Sequence, residues 1–254
     1  MRTIIFIATI GFLCSCSFGD LRDSDSTSTP EDFKKLDTIV SISGSWLSEA
    51  CFNSIIESKS PRKSQDGSHY IVIPGKTLQQ TTMIYNFHEG GASLVILKNN
   101  EHYEFWWMQD DRFAQKVYEV KIISQSKICI GDKVFVKISS STDTDNYKVL
   151  EDILFKGIYT DTDKNRIEFT GNGQIIGLDD FHFYDPIVDY YDEGMQVDQI
   201  LLGNSKNDRD YFGFKFQGDT LELYMLNCVE HGNDSNDCEI VEYGQLIHKL
   251  WRQK

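Results

Sequence analysis

Basic residues are scarce in this chain. Its 254 residues carry 25 Lys and Arg against 39 Asp and Glu, a formal net charge of -14. A domain of that sign repels the phosphates of nucleic acid and of anionic lipid, which argues against both as partners of its folded surface. Proline is limited to Pro30, Pro61, Pro74 and Pro186, each at a boundary or near the end of an apolar run. Helix signals are few, and no segment recurs at a fixed period, which argues against propellers and solenoids. The signatures of catalysis are missing too. There is no Cys-x-x-Cys and no zinc-finger spacing; Ala92 stands where a His-Glu-x-x-His motif starting at His88 needs its second histidine; and no Gly-x-Ser-x-Gly occurs. The expectation is a protein that is not an enzyme, with no catalytic residues, no cofactor and no metal.

Long hydrophobic runs are also lacking. The one sustained stretch, Ile4 to Leu13, is too short to cross a hydrocarbon core of ~30 Å as a helix. With Arg2 before it and Leu13-Cys14-Ser15-Cys16 at its end, it resembles a bacterial lipoprotein signal peptide closing in a lipobox. The resemblance implies cleavage before Cys16 and acylation of its sulfur by palmitate-type chains. Cys14 is the poorer acceptor, because Phe12 and Leu13 are bulky where small residues are required. Residues 1-15 are thus expected to be a signal peptide and 16-37 a flexible tether. That tether is rich in Ser, Thr and Asp and cannot bury enough apolar surface to order itself, although Phe33 to Ile39 has the pattern of a helical turn. Residues 38-254 form the expected folded domain. Losing Arg2 takes the charge to -15. Ser17, in place of the aspartate that holds some lipoproteins at the inner membrane, points to a lipid-anchored protein of the cell outer membrane. More than one acyl chain would make that attachment lasting.

Alternation of apolar and polar residues dominates after residue 68. Runs at Tyr70-Ile73, Thr82-Phe87, Leu94-Leu97, His102-Met108, Val117-Ile123 and Lys133-Ile138 are separated by turn signals such as Glu89-Gly90-Gly91 and Ile130-Gly131-Asp132. The second half continues with Ile153-Tyr159, Arg166-Phe169, Asp210-Phe216, Thr220-Leu226 and Glu239-Tyr243. These read as at least ten short strands, and short connections make neighbours antiparallel. One helix stands out: Glu49 to Ser58 places Phe52, Ile55 and Ile56 on one face, and Pro61 stops it. The fold class is therefore all-β, an antiparallel barrel or close relative with one short helix after the first strand.

Of the four cysteines in the domain, Cys228 and Cys238 bracket a turn-forming stretch between two alternating runs, which would bring their sulfurs together across a hairpin base as a disulfide. Cys51 and Cys129 have no local partner and read as buried thiols.

Ser43-Gly44-Ser45-Trp46 opens the first strand and resembles the Gly-x-Trp of lipocalin-type barrels. Gly218-Asp219-Thr220-Leu221-Glu222-Leu223-Tyr224 resembles the late-strand pattern of lipocalin-like lipoproteins of Bacteroidetes-type bacteria. The resemblance implies a lipocalin-like β-barrel in which Gly44 and Trp46 close one end and Arg252, beyond the last strand, packs across the Trp46 ring. It also implies a binding protein for a small apolar or amphipathic ligand. The alternative is an acidic surface lipoprotein that binds or inhibits a cationic protein, in the manner of barrel-shaped lysozyme inhibitors.

The remaining candidates have bland readings. His88-Glu89 is a polar pair at a strand end. His182 and Tyr184 alternate with phenylalanines and could line a cavity or face solvent. Asp161-x-Asp163-x-Asn165 imitates a calcium loop, but Arg166 and Asn172 stand where glycine and glutamate are required, so a hairpin tip is expected. Gly171-x-Gly173 lacks the strand-to-helix setting of a dinucleotide loop. Adjacent Trp106 and Trp107 must point to opposite faces, and Tyr190 and Tyr191 beside Asp189 and Asp192 would suit sugars or cations if exposed.

Overall fold

The computed structural model describes residues 41-64, 70-77, 80-86, 90-99, 102-109, 112-142, 148-188, 196-231 and 238-253. Cys16, the tether, His88-Glu89 and Tyr190-Tyr191 lie outside them.

The chain is all-β and antiparallel, with one α-helix placed directly after the first strand. Its strands fall into two consecutive meanders. Strands β1 (Gly44–Ser48), β2 (Tyr70–Ile73), β3 (Gln80–Asn86), β4 (Gly90–Asn99), β5 (His102–Gln109), β6 (Arg112–Ser124), β7 (Lys127–Ile130) and β8 (Lys133–Ser139) pair in order and close into a barrel through β1 and β8. Closure leaves no free sheet edge.

The second meander repeats the plan. Strands β9 (Gly157–Thr160), β10 (Arg166–Phe169), β11 (Ile175–Ile176), β12 (Phe183–Pro186), β13 (Gln199–Ser205), β14 (Asp208–Gln217), β15 (Thr220–His231) and β16 (Cys238–Arg252) form an eight-stranded sheet in which the first strand again pairs with the last. The gap between β11 and β12 is spanned by a bridge between Gln174 and Phe183 and by hydrogen bonds from Ile175 N–H to His182 O (2.8 Å) and Tyr184 N–H to Gly173 O (2.9 Å). This sheet is therefore nearly closed as well.

Helix α1 (Glu49–Ser58) ends at Lys59, whose left-handed backbone (φ 52°) directs its N–H to Ile55 O at 2.8 Å, satisfying a terminal carbonyl. Its buried stripe is Cys51 and Ile55 with Phe52 at the flank, whereas Ile56 is 41% exposed. The expected apolar face is thus rotated by about one residue. Pro61 then opens a short 3-10 turn, Pro61–Ser64. The run Ile153-Tyr159 is not one strand: Glu151–Phe155 forms a π-helical turn, and the strand starts only at Gly157. Leu154 and Phe155 on that turn and Val149 and Leu150, helical immediately before it, are all buried, a spacing that a helical segment serves and a strand does not.

Two cores result. Inside the first barrel, Trp46, Ile71, Leu94, Phe105, Ile128 and Phe135 pack together and are inaccessible to solvent. The second core joins the interior of the second sheet to the outer face of the first barrel, where Leu47, Tyr70 and Val72 meet α1 and the π-helical turn. Lys59 Nζ donates to Gly218 O at 2.8 Å, and Arg62 N–H donates to Asp198 Oδ1 at 3.0 Å, so α1 and its following turn are tied to the second sheet.

Candidate functional site

Among the described residues, both interiors are packed with the protein's own apolar side chains. In the second sheet Phe155 stands at the centre, its ring 5.0 Å from Phe214, 5.4 Å from Phe216, 5.6 Å from Tyr184 and 6.1 Å from Phe169. Rings at these separations form the tilted and edge-to-face contacts that add to burial. Among the described residues these rings occupy the interior of the second sheet, as Trp46, Phe105 and Phe135 do that of the first barrel.

Each barrel is plugged by the same device. Trp46 is fully buried, its indole N–H donates to Ile42 O at 2.9 Å, and the ammonium of Lys137, its partner across β1 and β8, lies 5.5 Å from the ring. Tyr159 is fully buried, its hydroxyl donates to Phe155 O at 2.8 Å, and the guanidinium of Arg252, its partner across β9 and β16, lies 5.3 Å from the ring. In both places the aromatic bonds back to the fourth residue before it, and a cation from the last strand covers its face. The expected packing of Arg252 on Trp46 is thus corrected. Arg252 ends the strand that pairs with β9, so it covers Tyr159, and Lys137 takes the place over Trp46. Gly44 (φ 124°) is required there, because a Cβ would meet Ser139 O at 2.5 Å and Lys137 Cε at 2.8 Å.

Where the two units meet, a cleft of about 240 Å³ opens. Ser45, Ser139, Ser141 and Asn172 give it hydroxyl and amide groups, Lys148 and Asp152 give it charge, and Tyr70 and Ile138 give it apolar wall. Lys148 Nζ lies 3.0 Å from Glu151 Oε1 and 3.9 Å from Asp185; Arg209 is 2.9 Å from Asp185 and Lys156 is 3.5 Å from Asp152. Burial pushes the Glu151 carboxyl up to about 7, against the pull of Lys148, and raises Asp152 as well.

A second feature is the far half of the β15–β16 hairpin. Among the described residues, ladders to β14 end at Tyr224 and ladders to β9 involve only Trp251 and Arg252, so beyond Tyr224 the two strands pair with each other. Cys228 is joined to Cys238 there, with Cα atoms 5.7 Å apart. Met225 and Val229 are 49% and 58% exposed beside exposed Glu230, Glu239 and Glu242. From Thr220 to His248 the sequence has six carboxylates and no Lys or Arg.

The other candidates do not converge. His182 is exposed and its Nδ1 lies 3.0 Å from Asn204 Oδ1, whereas Tyr184 is buried and donates to Thr170 O at 2.6 Å. Asp161 accepts from the Asn165 side-chain amide at 2.9 Å and from Asn165 N–H and Asp163 N–H at 2.8 and 2.9 Å, the hydrogen bonding of a hairpin tip, and these bonds, the side-chain one foremost, hold its carboxyl below the ordinary range. Neither tryptophan of the pair enters the core: Trp106 is half-buried with its N–H on Glu104 Oε2 (3.0 Å), Trp107 is exposed, and the ladder shifts register beside them. Cys51 and Cys129 are buried free thiols, and burial pushes Cys51 up to about 12. No group of three or more metal-ligating side chains occurs among the described residues.

Sequence reasoning missed Lys137, the Gly157-Ile158-Tyr159 plug, Phe155 and the Lys148-Glu151 pair. One signal was there to find: Gly-x-aromatic at 44-46 and 157-159, each with an apolar residue four before the ring. Compared with protein-family models, curated proteins and solved structures, the chain matches none.

Proposed function

We propose that this is a lipid-anchored binding protein of the cell envelope, held at the outer membrane through Cys16, that engages a cationic protein partner with its outer surface and performs no catalysis. The observation that carries this reading is the hairpin arm, which has exposed Met225 and Val229 together with exposed Glu230, Glu239 and Glu242 in a stretch, Thr220 to His248, whose sequence has no Lys or Arg. Exposed apolar side chains accompanied by carboxylates suit a basic surface: the charges steer the encounter, and the apolar residues supply contact. The filled interiors favour this over a ligand held inside a barrel. A partner of the lysozyme type, strongly basic and met outside the cytoplasm, fits the charge of -15 that follows removal of Arg2.

The test is retention of basic proteins, hen lysozyme first, on the immobilised full chain. Retention at low salt that falls steeply by ~0.5 M salt, where the screening length shrinks to a few Å, is the expected result. The triple variant E230Q/E239Q/E242Q should release the partner at lower salt. Retention that ignores salt and the triple variant would contradict the reading.

A further inference from the structure

The cleft between the two units has features that partner binding by the hairpin arm does not use. Its charges are balanced within the protein. With Glu151 ionised, Lys148, Lys156 and Arg209 stand against Glu151, Asp152 and Asp185, and each of the six lies within 4.0 Å of an opposite charge. Above about pH 7, where Glu151 is ionised, a cleft of this kind offers no net field to an anion or a cation. What it offers is the neutral polar groups of Ser139, whose Oγ accepts from Ser141 N–H at 3.1 Å, of Ser141 and of Asn172, whose Oδ1 accepts from Thr170 and whose amide N–H groups can donate, one incompletely covered ammonium, Lys148, whose side chain is 20% exposed, and an apolar wall at Ile138.

The turn that lines it is built for close approach. Gly171 presses on Asp152, since a Cβ would lie 2.5 Å from its Oδ1, and Gly173 (φ 80°) would place a Cβ 2.8 Å from Tyr184 O and 3.5 Å from Lys148 Nζ. A side chain at position 171 would displace the Asp152 carboxylate that faces the cleft, and one at 173 would meet the backbone of β12, so the Gly171-x-Gly173 pattern serves close packing rather than a phosphate. The volume of about 240 Å³ falls below the ~300–1,000 Å³ of sites for drug-sized ligands, which limits the occupant to a single small ring.

We propose that this cleft binds an uncharged, polyhydroxylated ligand the size of one sugar ring. Hydroxyls both donate and accept, which matches a wall of serine hydroxyls, an amide, an ammonium and a carboxylate, and the sugar's C–H face suits the partly exposed Ile138.

The experiment is calorimetric titration of the full chain with glucose, galactose, mannose and N-acetylglucosamine, each at low and high salt. Saturable binding of at least one, insensitive to salt, is expected. Ser141 is exposed at the rim, so S141W should abolish binding while leaving thermal unfolding unchanged, and N172A should weaken it about tenfold, the loss of a hydrogen bond worth ~1.4 kcal/mol. No saturable binding by any of the four sugars overturns the proposal. So does binding that S141W leaves intact, or binding that high salt removes. Salt sensitivity of protein retention, by contrast, bears on the hairpin arm alone.

Discussion

The two halves of the molecule share a strand order and a plug, yet they differ in how they are filled and how they end. The first barrel closes completely, on a mostly aliphatic interior around Trp46, Phe105 and Phe135. The second has strands of only two to four residues at β9–β12, is bridged rather than laddered between β11 and β12, and carries an overlong hairpin of 12 and 15 residues. Its interior depends on aromatic volume, led by Phe155 from outside the sheet. Short strands enclose less, so large rings must fill what remains, and the length not used for closure projects as the arm. One plan therefore yields a closed structural body and an open-ended one with surface to spare.

The comparison is broken most severely at the plugs. Trp46→Ala and Tyr159→Ala each remove a fully buried ring and should cost ~3–5 kcal/mol, measured by denaturant unfolding. Phe155→Ala should match them, because its ring touches four others. An effect below ~1 kcal/mol at any of the three would mean that the ring does not fill its barrel.

The covering cations should differ next. Arg252 also donates to the carbonyls of Leu154, at 2.5 Å, and Lys156, at 2.8 Å, whereas Lys137 offers its ring contact. Arg252→Met should therefore destabilise by ~2–4 kcal/mol and Lys137→Met by only ~0.5–1 kcal/mol. Equal losses would remove the distinction between the two plugs.

Stability should also fall with pH through Glu151, in the turn that feeds the second barrel. The folded state binds this proton up to about 7, against 4.5 for the ordinary group. Its contribution is therefore full below about pH 4.5, is lost as pH rises through 7, and levels off above. A loss on the order of 3 kcal/mol is expected. Glu151→Gln should flatten the profile over that interval, and an unchanged profile would show that the proton resides elsewhere.

The smallest global effect should come from the arm. Opening the Cys228–Cys238 bridge, which closes a segment with a sequence separation of 10, removes ~2–3 kcal/mol of chain constraint. Tyr243 is held to the second sheet by hydrogen bonds with Phe214 O and Asp198 N–H, but nearer the tip the ladder among the described residues pairs only with itself, so this should appear as faster amide exchange at Asn227 to His231 and Cys238 to Glu242, with little shift in the main unfolding transition.

Much of this fold was legible from period-two alternation: β2 and β10 coincide with their apolar runs, and the helix from Glu49 to Ser58 stands where its spacing placed it. The division into two barrels was not. Tyr159 replaces Trp in the second plug, and its glycine lay hidden inside the run Ile153-Tyr159, where a helical turn and a strand adjoin without a polar break. Strands as short as β11 and β12 carry too few residues to show a period. The pairing partner of the last strand is a long-range fact, which is why Arg252 was assigned to the wrong ring. The cleft was illegible for the same reason, since it gathers Ser45, Lys148 and Asn172 from three separate stretches. The acidic arm could be read in part, because its cysteines and its lack of basic residues are local.

The central claim is that both barrels are occupied by their own side chains, so that binding takes place outside them. Titrating the full chain with a fluorescent fatty acid tests it most directly. No saturable signal is expected at any ratio. Saturable one-to-one binding, competed by unlabelled fatty acid, would contradict it.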